Sequence, residues 1–99
     1  MVVHFAGDDG RLLGAQAAGA DGVDKRIDVL ATAIRAGLKV DDLIDVDLSY
    51  SPPYGSAKDP INMVGMFGEN VLTGVTEPWY AEDLAEAMEE ALILDCRTE

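Results

Sequence analysis

Cysteine is almost missing from this chain: Cys96 is the only one among 99 residues. A lone cysteine excludes an internal disulfide and a multi-cysteine metal site. Basic residues are scarce too, 7 Lys and Arg against 19 Asp and Glu, for a net charge of −12. Nucleic acid and anionic membrane surfaces both demand a basic patch, so neither is an expected partner. The acidic balance fits a role in solubility. Histidine occurs once, at His4. No Asp, Cys or Ser stands at a spacing that would build a triad with it, and it is assigned no role. No apolar run approaches the length of a bilayer span, and Met1 is not followed by a charged and then an apolar stretch. A cytoplasmic setting is the expectation. Gly-x-Gly-x-x-Gly after a strand is also missing, so no dinucleotide phosphate cradle is expected in these residues.

Hydrophobic residues make up 48% of the chain, enough for one small core. Val2 to Ala6 is a short β-rich run, and Asp9-Gly10 separates it from a returning strand over Leu12–Gly19. Gly14 and the alanines of that strand suggest a face closely approached by another element. Asp21, with Asp24 three residues on, reads as the start of a helix whose stripe is Val23, Ile27, Leu30 and Ile34. Gly37 is placed to end it. Val40 to Ile44 fits one further helical turn. Val46, Leu48 and Tyr50 alternate with Asp47 and Ser49, which predicts a half-exposed strand.

That strand would lead into Tyr50-Ser51-Pro52-Pro53-Tyr54-Gly55-Ser56-Ala57-Lys58-Asp59-Pro60. The diproline cannot be helical and is expected to form a stiff extended arm. Asp59-Pro60 reads as an N-cap and first helical residue. In the helix that follows, Ile61, Met63, Val64, Met66, Phe67, Val71 and Leu72 surround most of the circumference. Such a helix is buried on more than one side. It is either the central helix of a monomer with methionines filling gaps, or a helix whose second side meets another subunit; the pattern favours a homodimer. Gly65 and Gly68 imply close backbone approach, and Gly74 a C-terminus. After a boundary at residues 73–78 come an acidic helix from about Glu82 to Glu90 and a buried-type strand over Leu92–Leu94. Both ends of the sequence read as cut.

Three motifs in order carry a resemblance: Asp9-Gly10-Arg11-Leu12-Leu13-Gly14-Ala15-Gln16, then Gly22-Val23-Asp24-Lys25-Arg26-Ile27-Asp28, then Tyr50-Ser51-Pro52-Pro53-Tyr54 with Ser56 to Asn62. Residues 1–74 resemble the C-terminal dimerisation domain of the pyridine nucleotide-disulfide oxidoreductases, in the coenzyme A-disulfide reductase and NADH oxidase branch. Residues 75–99 resemble a linker and the opening of a rhodanese domain, through Asp95-Cys96-Arg97-Thr98. The resemblance implies an α+β fold, an antiparallel β-sheet with helices packed on one side, in a two-fold dimer. It places FAD and NAD(P)H in other domains of a longer parent, which would reduce coenzyme A disulfide, persulfide or polysulfide. These residues in isolation would be inactive.

The same resemblance gives Tyr50 a role in trans, reaching toward the partner subunit's redox cysteine and substrate. A phenol can donate a hydrogen bond to a sulfur leaving group while neutral at pH 7. Pro52, Pro53, Tyr54 and Lys58 complete the expected interface loop, Tyr54 through its ring and Lys58 as a loop-orienting or surface charge. Ile61, Met63, Val64, Met66 and Phe67 would form the dimer-interface helix. Cys96 falls on a variable position of its motif and is read as structural. A freestanding homodimeric scaffold or binding domain without a redox role is the alternative.

Overall fold

A computed structural model of the 99-residue chain describes residues 1–92 and 94. Its elements run β1 (Val2–Phe5), β2 (Leu12–Gln16), α1 (Val23–Ala36), a 3-10 turn (Asp41–Asp45), α2 (Pro60–Leu72), a second 3-10 turn (Ala81–Asp83) and α3 (Leu84–Glu90). The expected α+β class is what the chain adopts.

β1 and β2 form a two-stranded antiparallel sheet, with Val2 opposite Gln16 and His4 opposite Gly14. Phe5 then pairs with Leu12, so Leu13 is bulged out and half-exposed while Leu12 points into the core. The turn between the strands depends on Gly10, whose φ of 74° is costly for any residue with a side chain. A Cβ there would also lie 2.7 Å from Leu72 Cδ1. The carbonyl of Gly10 accepts from Val40 N–H, and Leu12 N–H donates to Leu38. The segment after α1 therefore covers part of the free edge of β2.

α1 lies over β2 and fills the core with Leu30 and Ala33. It begins one residue later than a cap at Asp21 would place it. Gly22 stands at the N-cap in the left-handed region, with no side-chain cap, so the expected Asp21–Asp24 capping box does not form. Asp24 instead sits in the first turn, where a negative charge suits the helix dipole. Gly37 ends the helix as expected. Leu43 from the 3-10 turn and Ile61 from α2 complete a core with Leu12, Leu30, Ala33 and Val40. The close approach expected at Gly14 is not there: a Cβ on Gly14 would meet nothing within 4 Å. It occurs at Gly65 and Gly68, which lie against the backbone of Leu43 and Ile44 and against the Val40 side chain.

The strand predicted over Val46–Tyr50 is absent. Val46 and Leu48 do turn inward onto the core, which accounts for the alternation, but the Val46 carbonyl is taken by the Asn62 side chain. Alternation recorded one buried side and no strand partner. Leu92 and Leu94 are exposed and not in a strand. Ile93 and Asp95 to Glu99, including Cys96 and the proposed rhodanese motif, lie outside the described residues.

Candidate functional site

α2 starts where one carboxylate does two jobs. Asp59 is 4% exposed. Its Oδ1 accepts the Ile61 N–H at 3.0 Å, capping a helix whose first residue, Pro60, has no N–H to satisfy. Its Oδ2 accepts from Arg26 Nη2 at 3.0 Å, with Arg26 Nε 3.4 Å from Oδ1. Arg26 Nη1 turns back to the Gly22 carbonyl at the start of α1. Burial pushes the Asp59 carboxyl up, but the Ile61 N–H, the Arg26 guanidinium and the more distant Lys25 charge outweigh it. The carboxyl is held below its ordinary value and carries its charge at neutral pH.

Asn62, one turn into α2, fixes the other side. Its amide nitrogen lies 3.0–3.1 Å from the carbonyls of Leu43, Ile44 and Val46, so two N–H groups serve three acceptors. The 3-10 turn is thereby tied to α2 just below the loop.

The loop between these anchors carries the predicted site residues. Tyr50 is 57% exposed and lines a cleft of about 450 Å³ with Lys58, Asn62 and Met66. Pro52, Pro53 and Tyr54 line a second, on the α1 side, with Lys25 and Arg26. The diproline is not the extended arm expected of it. Ser51 to Tyr54 form a turn in which the Ser51 carbonyl accepts from the N–H groups of both Tyr54 and Gly55. The two prolines have no N–H to lose, so they sit at its apex without leaving a donor unpaired.

The five residues expected on a partner-facing side of α2 divide. Ile61 is fully buried in this chain's own core and has no surface to offer. Val64 packs against that core, and Met66 faces the Tyr50 cleft. Met63 and Phe67, 55% and 53% exposed, stand one helical turn apart and border an apolar groove with Val2, Phe5, Val71 and Tyr80. His4 is exposed on β1, with no partner that would give it chemistry among the described residues.

Arg26 and Asn62 were not legible as anchors. Arg26 was one of few cations in an acidic chain, which was the available signal. Nothing local in the sequence points Asn62 at three carbonyls of a preceding segment.

No family model matches the chain. Over 63 residues it is 46% identical to the coenzyme A disulfide reductase of Staphylococcus haemolyticus (strain JCSC1435), a stretch that is 64% of this chain and 14% of that protein. The same figures hold for the coenzyme A disulfide reductase of Staphylococcus aureus (strain bovine RF122 / ET3-1). The fold superposes on reduced Bacillus anthracis CoADR-RHD with a TM-score of 0.83 and 49% identity, covering 88% of this chain and 16% of that one. The chain is homologous to the C-terminal region of these reductases. A NAD-dependent persulfide reductase from A. fulgidus gives a TM-score of 0.73 at 43% identity, over 78% of this chain and 14% of that one. The chain thus spans 14% of the length of the coenzyme A disulfide reductases it matches. Among the described residues no helix is long and apolar enough to cross a membrane, and no cluster of His, Cys, Asp and Glu could hold a metal.

Proposed function

We propose that the chain is the dimerisation module of an FAD- and NAD(P)H-dependent disulfide reductase acting on coenzyme A disulfide, persulfide or polysulfide. Its loop supplies Tyr50 to the active site of the partner subunit. The observation that carries this reading is the exposed Tyr50 side chain beside an open cleft, on a loop whose far end is anchored by the Arg26–Asp59 pair. The homology to coenzyme A disulfide reductases supports the chemistry. The Met63 and Phe67 face supplies the contact between subunits. Residues 75–99 act as a linker into a rhodanese-like domain.

Within this reading the reducing equivalents come from NAD(P)H by way of FAD, held by parts of the reductase other than these residues. What this chain does is narrower. Tyr50 donates a hydrogen bond from its phenol O–H to the sulfur that takes on charge as the substrate disulfide breaks. A neutral donor serves here because it stabilises the thiolate without delivering its own proton.

Tyr50→Phe in the whole reductase is expected to slow disulfide reduction about tenfold, the worth of one hydrogen bond made in the transition state. FAD content and subunit association should be unchanged. Steady-state rates equal to those of the parent would refute the role of Tyr50. A monomeric reductase in sedimentation velocity at tens of micromolar would refute the subunit contact assigned to Met63 and Phe67.

A further inference from the structure

The loop from Val46 to Asp59 has neither helix nor strand; its Val46 end is held by Asn62 of α2, while Ser49 and Asp59 are both tied to one turn of α1. Lys25 and Arg26 are consecutive in the first turn of α1. Successive side chains on a helix leave about 100° apart, so the two reach different places. Arg26 reaches Asp59, where the loop ends. Lys25 Nζ donates to the Ser49 carbonyl, 3.3 Å away, immediately before Tyr50.

The same ammonium lies 4.0 Å from where a Cβ on Gly55 would stand, between the outgoing and returning limbs of the loop. The loop's own hydrogen bonds are short-range. Tyr54 and Gly55 N–H groups donate to the Ser51 carbonyl, and the Ser56 hydroxyl to Lys58. None of these relates the limb carrying Tyr50 to the body of the domain. Lys25 does.

Resting on the reading of Tyr50 above, we propose that Lys25 is its positioning residue: by holding the Ser49 carbonyl, it sets the direction in which the Tyr50 side chain leaves the loop. Arg26 is a poor probe, because its loss would strand the buried Asp59. Lys25→Met keeps the aliphatic stem and removes only the donors.

In the 99-residue chain, Lys25→Met should quicken amide hydrogen exchange over residues 46–59 about tenfold and leave α2 unchanged. Equal quickening in both segments, or no change in either, overturns the proposal. In the whole reductase, Lys25→Met should lower kcat about fivefold at constant KM, and Lys25→Arg should restore most of it. In a Tyr50→Phe background the same substitution should cost less than about twofold, because the group it positions is already gone. Full additivity overturns positioning and leaves the Tyr50 reading standing. A Tyr50→Phe enzyme with parental rates sinks the Tyr50 reading, and hydrogen exchange then decides whether Lys25 holds the loop.

Discussion

Gly65→Ala is expected to lower the unfolding free energy by about 2 kcal/mol, although alanine is the better helix former. The added Cβ would stand 2.7 Å from the Ile44 nitrogen and 2.9 Å from the Leu43 carbonyl carbon. Both are backbone atoms, so no rotamer change relieves the contact. The 3-10 turn cannot easily retreat, because Asn62 holds its carbonyls to the same helix. Overpacking of this kind costs up to about 3 kcal/mol, and the helix propensity of alanine returns about 1. Gly68→Ala meets the Val40 side chain instead, at Cγ2, Cγ1 and Cβ. Val40 is fully buried and branched at Cβ, so it has little room to yield and Gly68→Ala should be destabilising as well. Urea midpoints for the two variants check both. A Gly65→Ala chain as stable as the parent would show that α2 and the turn are not held together as described.

Asp59→Ala should cost about 3 kcal/mol. Loss of a helix N-cap is worth about 1 kcal/mol. The remainder comes from Arg26, whose side chain is 16% exposed and would lose its carboxylate. Removing one partner of a fully buried pair costs roughly 3–5 kcal/mol; the partial exposure of Arg26 and its bond to Gly22 reduce that share. Asp59→Asn keeps an oxygen able to cap α2 and should recover about 1 kcal/mol of the loss.

The same carboxylate predicts a pH dependence. Its folded pKa lies below the ordinary value. It therefore contributes stability that is fully present above the unfolded pKa of about 3.9 and is lost as pH falls through the folded value. Urea midpoints of the parent and Asp59→Asn should differ most near neutrality and converge in strong acid. A constant gap from pH 7 to acid would show that charge on Asp59 plays no part.

What could be read from the residues was largely what depends on near neighbours. The hairpin at Asp9-Gly10, the Asp59-Pro60 cap, the end of α1 at Gly37 and the close approach at Gly65 and Gly68 all follow from local chemistry. Tyr50 and Tyr54 were legible as exposed features of a proline loop, though not the turn that Ser51 closes. Val46–Tyr50 misled because alternation is produced by any segment with one buried side. Ile61 misled because periodicity around α2 cannot distinguish the chain's own core from a second surface. Asn62, Lys25 and Arg26 act over 16 to 33 residues of sequence, a distance at which local pattern carries no signal.

The Arg26–Asp59 pair has a consequence for how the chain comes together. An isolated helix the length of α2 is marginal in water, since its first turn fixes several residues for one hydrogen bond. Asp59 both closes that first turn and attaches it to α1 across 33 residues. Helix nucleation and long-range docking thus share one carboxylate. A free, fully formed α2 has little to stabilise it without α1, and the loop bearing Tyr50 ends at the same contact.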